Sequence, residues 1–207
     1  MIITYFGKQF FKIQHGDVSV LVNPAESLKS KGRFNNGIVL SSIHHSDFIS
    51  EDILKKESEE DGAFVISRPG EYEVKGVVIR GFLTKTSYSG KKHNTIYLIS
   101  LDNIKVCILG AISDVKDIDT ETLALLSGVD ILITPIGGDD VLSAEEAYKF
   151  AVKMAPKVII PAQYDKQETL KRFFNEGGED KVALNEKFVA KRKDLDQKSG
   201  EIIALSS

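Results

Sequence analysis

Cysteine, long apolar runs and blocks of positive charge are all scarce in this 207-residue chain, and each scarcity removes a class of protein. Its one cysteine, Cys107, sits in the apolar run IKVCIL. No disulfide can therefore form within the chain, and a buried strand thiol is expected there. No segment approaches the ~18 uninterrupted apolar residues of a membrane-spanning helix. The opening MIITYFGKQFFKIQHGD alternates like a strand and has no charged region leading into an apolar one. A soluble, cytoplasmic protein without a membrane partner is expected. The longest basic block is Lys191-Arg192-Lys193 in a chain of formal net charge −3, so the electrostatic footprint of a nucleic-acid binder is missing and no nucleic-acid partner is expected.

The chain is 42% hydrophobic and 28% charged, enough to bury one good-sized core, and a single domain over residues 1–207 is expected. Strands come first. Residues 3–14 and 18–24 are β-branched and aromatic runs on either side of His15-Gly16-Asp17, which predicts a hairpin. GIVLSS (37–42) reads as a strand buried on both faces. Ser50 with acids at 51 and 52 predicts the start of a short helix running through DILKKESEE. Residues 63–83 read as two strands around Pro69-Gly70, and the Gly-, Ser- and Lys-rich stretch 85–94 as a loop free to move. NTIYLISLDNIKVCILG predicts a hairpin turned at Asp102-Asn103.

Beyond residue 120 the pattern changes to strand–helix alternation. Helices are expected over 121–127, 143–155 and 166–176, the second opened by a Ser143/Glu146 capping box and ended by Pro156. Apolar strands are expected at 129–138 and 158–164. Early hairpins and late alternation in one domain suggest two mixed sheets face to face with helices outside.

In their order, YFGKQFFKIQHGDVSVLVNP, VLSSIHHSDF, PGEYEVKGVVIRGF, NTIYLISLDNIKVCILGA, VDILITPIGG and AYKFAVKMAPKVIIPAQY resemble the metallo-beta-lactamase superfamily. Within it, they are most similar to a small branch of zinc-dependent hydrolases related to ascorbate-phosphate lactonases. The resemblance spans nearly the whole chain. It implies an α/β fold, a four-layer αββα sandwich of two mixed sheets with outer helices. It also implies a dinuclear metal centre whose bridging water is activated for hydrolysis.

The family places its first ligands in Ser/Thr-His-x-His-x-Asp-His after the third strand. Residues two apart on extended backbone point the same way, so two imidazoles can share one ion. Set onto that motif, Ser42 matches the leading residue, Ile43 the first His, His45 the second, Asp47 the Asp and Phe48 the last His. The family's Leu-Gly-Asp is Leu109-Gly110-Ala111 here, and its Ile-Pro-x-His-Tyr is Ile160-Pro161-Ala162-Gln163-Tyr164. The resemblance thus leaves His45 and Asp47 as residual ligands and replaces four others by Ile43, Phe48, Ala111 and Gln163. Ile and Phe filling vacated space contribute roughly 1.5–3 kcal/mol each, whereas a divalent ion beside them would lack ligands.

The reading that follows is a catalytically inactive hydrolase homologue, a pseudoenzyme serving as a binding or assembly module for a protein or small molecule, with no cofactor expected and a homo-oligomer open. Its rival is a zinc- or manganese-dependent hydrolase of a small phosphorylated or lactone-like metabolite, with Asp47 catalytic. There a reduced mononuclear site would use His44, His45 and Asp47 with His93, Asp114 or Asp139. For His45 and Asp47 the plainer alternative is a mutual hydrogen bond that caps the turn after the strand. Gly137-Gly138 before Asp139-Asp140 reads as a tight connection rather than a phosphate loop. Glu71 and Glu73 share a strand face and read as solvated. Ser41 and Ser42 lack a nucleophile elbow.

Overall fold

The computed structural model describes residues 1–25, 27, 37–55 and 63–207. Strands β1 (Ile2–Gly7), β2 (Phe10–His15), β3 (Val18–Val22), β4 (Ile38–Leu40) and β5 (Phe64–Ile66) form one sheet in that order, with the late β13 (Phe188–Val189) added beside β1. The β2–β3 pair is the expected hairpin about Gly16-Asp17. The run 3–14, however, is not one strand. It folds back between Gly7 and Phe10, where Gly7 and Lys8 both take positive φ (111° and 51°), so β1 and β2 pair antiparallel.

The second sheet holds β6 (Gly70–Val74), β7 (Val77–Lys85), β8 (His93–Leu101), β9 (Ile104–Ile108), β10 (Ile131–Pro135), β11 (Val158–Ala162) and β14 (Glu201–Ile202). It is antiparallel from β6 to β9 and parallel from β9 to β14. The β8–β9 hairpin turns at Asp102-Asn103 as expected, both in left-handed conformation. Pro69-Gly70 does not turn a hairpin. There the chain leaves β5 of the first sheet to begin β6 of the second, and the reversal comes later, at Lys75-Gly76. Short β12 (Leu184–Asn185) and β15 (Ala204–Leu205) pair at the periphery.

The inner faces meet in one apolar core that includes Ile13, Val20, Ile38 and Leu40 from the first sheet and Ile79, Tyr97, Val106, Ile133 and Ile160 from the second. Tyr97 reaches across it, its hydroxyl donating to the Ser41 and Ile66 carbonyls. Helices α2 (Thr120–Leu126), α3 (Ala144–Met154) and α4 (Gln167–Glu176) belong to the outer layer of the second sheet, where Phe150, Met154, Phe173 and Phe174 cover Cys107, Leu132 and Ile159. The Phe173-Phe174 pair is therefore core. Short α1 (Glu51–Lys55) brings Ile53 over Leu21, Val39 and Val65 on the opposite side. The four layers αββα result, with α5 (Arg192–Leu195) near the C-terminus.

Local signals explain the helix ends. Ser143 and Glu146 form the reciprocal capping box, and α3 ends at a left-handed Ala155 ahead of Pro156. Ser50 caps α1 through its carbonyl, and among the described residues its hydroxyl has no hydrogen-bond partner. The remainder of the expected first helix, 56–62, lies outside the described residues.

Candidate functional site: a plugged metal position

Four chain segments converge at the C-terminal ends of β4, β9 and β11 and at the β1–β2 turn. After β4, residues 41–49 form a compact turn in which Phe48 and Ile49 amides donate to the His45 carbonyl at 2.8 and 2.9 Å. The Ser42 amide donates to Asn23 Oδ1 at 2.7 Å, and the Thr95 amide to the Ser42 carbonyl at 2.9 Å, which ties the turn to both sheets. After β9, Gly110 takes φ +65°, and a Cβ there would lie 2.3 Å from Asn94 Oδ1 and 2.6 Å from Ser42 Oγ. Only glycine permits that approach. It delivers Ala111, whose amide donates to Asn94 Oδ1 at 2.9 Å. After β11, Gln163 also adopts positive φ, and its amide donates to the Lys8 carbonyl at 2.7 Å.

Ile43, Phe48 and Ala111, three of the positions that the resemblance matches to ligands, lie together in one buried cluster with Val141. Their exposures are 3%, 1% and 0%. Tyr88 packs its ring edge-on to Phe48 at 5.4 Å and to His45 at 5.5 Å. The cluster is an apolar plug with an aromatic lid.

Gln163, the fourth position, joins a chain of neutral amides. Gln9 Nε2 donates to Gln163 Oε1 at 2.7 Å and to the Gly110 carbonyl at 2.6 Å, while Asn23 Nδ2 reaches Gln9 Oε1 at 3.5 Å. An amide supplies its oxygen lone pairs and N–H groups to hydrogen bonds without carrying charge, so this buried layer is satisfied without an ion.

His45 and Asp47 do lie side by side, but neither is presented as a free ligand. The Asp47 amide donates to His45 Nδ1 at 3.2 Å, which caps the turn and leaves Nδ1 as the unprotonated nitrogen. In that tautomer the 3.5 Å separation between Nδ1 and Asp47 Oδ2 is not a hydrogen bond. The carboxylate instead accepts from Lys8 Nζ at Oδ1 and from the Tyr88 hydroxyl at Oδ2, the latter at 2.8 Å. Partial burial pushes the Asp47 carboxyl up. The Lys8 and Tyr88 hydrogen bonds and the Lys8 charge outweigh it and hold the group below its ordinary value. Burial, then the hydrogen bond to Asp47 and its charge, push the Tyr88 phenol upward, so it remains a donor. A carboxylate held ionised by an ammonium and a phenol is a weak base.

Of the other proposed ligands, Asp139 lines the same cleft as Asp47, and the rest are elsewhere. Asp114 caps the Val115–Asp117 turn by accepting from the Lys116 amide, and His93 lines a different hollow with the exposed His44. Among the described residues no group of three or more His, Cys, Asp or Glu is placed to hold a metal ion. The donor set does not fit the family's metal centre. A zinc or manganese ion at this position would meet one imidazole, one already engaged carboxylate and three apolar side chains.

Above the plug opens a cleft of about 370 Å³, lined by Lys8, Asp47, Tyr88, Gln163, Asp165 and Lys166 among others. Asp139 and Asp140 stand on its rim, Asp140 Oδ2 accepting from the Ser89 amide at 3.1 Å. The loop expected to move is held here. Ser113 Oγ accepts from the Ser87 amide at 2.9 Å and donates to the Asp140 carbonyl at 2.5 Å. The Gly137 pair makes the tight connection expected of it, because a Cβ at Gly137 would lie 2.4 Å from the Gln163 carbonyl oxygen. Lys8, Gln9 and Tyr88 are the contributors that sequence reasoning missed. The one local signal was Gly7 ahead of Lys8, inside what otherwise reads as a continuous strand.

A sequence profile of the beta-lactamase superfamily domain matches residues 2–163. The chain belongs to the metallo-beta-lactamase superfamily. A protein from Thermotoga maritima described as a Zn-dependent hydrolase of that superfamily is similar over 99% of this chain and 97% of its own, at 22% identity and a TM-score of 0.73. A metallo hydrolase from the hyperthermophilic archaeon Ignicoccus hospitalis is similar over 92% and 99%, at 16% identity and a TM-score of 0.66. The short form of human tRNase Z is similar over 81% and 93%, at 12% identity and a TM-score of 0.62. At these identities the likeness is one of fold. No helix among the described residues is long and apolar enough to cross a membrane.

Proposed function

We propose that this protein is a catalytically inactive homologue of the metal-dependent hydrolases, a pseudoenzyme in which the sandwich and its cleft serve as a binding or assembly module. The observation that carries this reading is the plug. Ile43 and Phe48 from the turn after β4 and Ala111 from the segment after β9 match ligand positions and meet in one buried apolar cluster. The space is packed with apolar side chains, and the polar groups beside it, Gln163 and Asp47, are hydrogen-bonded to Gln9 and Tyr88. The cleft offers hydrogen-bond donors and acceptors from Lys8, Tyr88, Asp47 and Gln163, suited to a polar small molecule or a protein segment. A cytoplasmic location fits the composition, a homo-oligomer stays open, and neither nucleic acid nor membrane is a favoured partner.

The test is elemental mass spectrometry on protein purified without chelator or affinity metal, repeated after incubation with excess zinc or manganese and desalting. Less than about a tenth of an equivalent in both samples is expected. About one equivalent, lost in His45→Ala, would overturn the reading and restore a mononuclear hydrolase.

A further inference from the structure

On the far side of Ile43 from the cleft lies a second hollow, of about 320 Å³, and its chemistry is of one sign. His44 from the turn after β4, Arg68 from the sheet-to-sheet crossing, and Lys91, Lys92 and His93 at the start of β8 all line it. No Asp or Glu does. All five side chains are exposed, and among the described residues none forms an ion pair. This contrasts with the chain's other prominent cations. Lys8 pairs with Asp47, Arg80 with Glu71, Lys85 with Asp117, Lys157 and Arg192 with Asp130.

Two separate segments thus bring the like charges of Arg68, Lys91 and Lys92 together, beside the imidazoles of His44 and His93, in a concavity of a protein whose net charge is −3. Such convergence is unfavourable by itself and focuses a positive potential into the hollow. Leu83, 55% exposed, and Pro69 add an apolar wall. Arg supplies a planar fork for phosphate oxygens and Lys a mobile point charge.

We infer that this hollow binds a small phosphorylated organic molecule, with Arg68, Lys91 and Lys92 holding the phosphate and Leu83 and Pro69 facing the organic part. The hollow shares Ile43 as a wall with the plugged metal position but uses neither His45 nor Asp47, so the inference stands whether or not the protein is a pseudoenzyme.

The test is isothermal titration of the full chain with phenyl phosphate and with inorganic phosphate at low ionic strength. Saturable binding of both is expected, tighter for phenyl phosphate, and weakened about tenfold or more in Arg68→Ala/Lys91→Ala. These side chains are exposed and unpaired, so the variant should melt as the wild type does. Lys149→Ala/Lys153→Ala removes the same net charge on α3 and should bind like wild type. No saturable binding up to about 10 mM would overturn the inference. So would equal weakening in the α3 variant, which would make the effect one of net charge alone, or weakening by Lys8→Ala instead of Arg68→Ala, which would place the anion in the other cleft. A single-stranded oligonucleotide binding more than about a hundredfold tighter than phenyl phosphate would reassign the surface to a polyanion.

Discussion

Two hollows flank the plug formed by Ile43, Phe48 and Ala111, and their charges are used in opposite ways. In the cleft above Phe48, polar groups are turned inward on one another: Lys8 and Tyr88 hold Asp47, and Gln9 holds Gln163. In the hollow beside Ile43, Arg68, Lys91 and Lys92 face a concavity with no carboxylate in its lining. Satisfied polar groups rigidify a site, while unsatisfied like charges await an external partner. The ancestral-type site position is therefore the quieter of the two, and the neighbouring surface is the one with interaction capacity to spare.

Breaking the wall between the hollows should have the largest effect. Phe48→Ala removes a fully buried ring and is expected to destabilise by about 3–5 kcal/mol in chemical denaturation. A loss below about 1 kcal/mol would mean that the plug is loosely packed. Next comes the amide chain. Gln9→Met keeps the volume but strips donors from Gln163 Oε1 and the Gly110 carbonyl, and should cost about 1–3 kcal/mol.

The Lys8–Asp47 pair is partly exposed, so Lys8→Met should cost only about 0–1 kcal/mol at neutral pH. Its pH dependence is more telling. Asp47 is held below the ordinary carboxyl value of 3.8, so its contribution is fully present above that value and is lost as pH falls through the lower folded-state value. The stability gap between wild type and Asp47→Asn should stay constant from neutrality to about pH 4 and close below it; a gap that widens in acid would contradict the carboxylate's assigned partners. Smallest of all, Lys91→Ala/Lys92→Ala should leave stability within about 0.5 kcal/mol of wild type, or raise it slightly by relieving repulsion.

How much of this is legible in the sequence depends on whether the signal is local. The hairpins at Gly16-Asp17 and Asp102-Asn103 and the capping box of α3 are carried by adjacent residues and can be read directly. So could the departures at Ile43, Phe48, Ala111 and Gln163, because each stands inside a recognisable segment. The fold-back at Lys8 was hidden, since aromatic residues on both sides of Gly7-Lys8-Gln9 mimic one long strand. Pro69-Gly70 resembles a turn but performs a crossing between sheets, which only the layer arrangement distinguishes. The partners of Asp47 were also out of reach. Lys8 lies 39 residues before it and Tyr88 lies 41 after it, in a stretch whose Gly, Ser and Lys suggested motion. What fixes that stretch, Ser113 and Asp140, is still further along the chain.

The edge of the second sheet shows how the protein protects itself from its own architecture. Among the described residues, β6 pairs only with β7, so one side of its backbone is open, a template onto which another extended chain could add. Glu71 and Glu73 stand exposed on that strand, and Glu71 is anchored by Arg80 across the ladder at 3.1 Å. Two copies meeting edge to edge would bring these carboxylates into register against each other. The pair that looks superficially like a catalytic duo thus puts negative charge on an open sheet edge, which opposes the approach of another edge strand there.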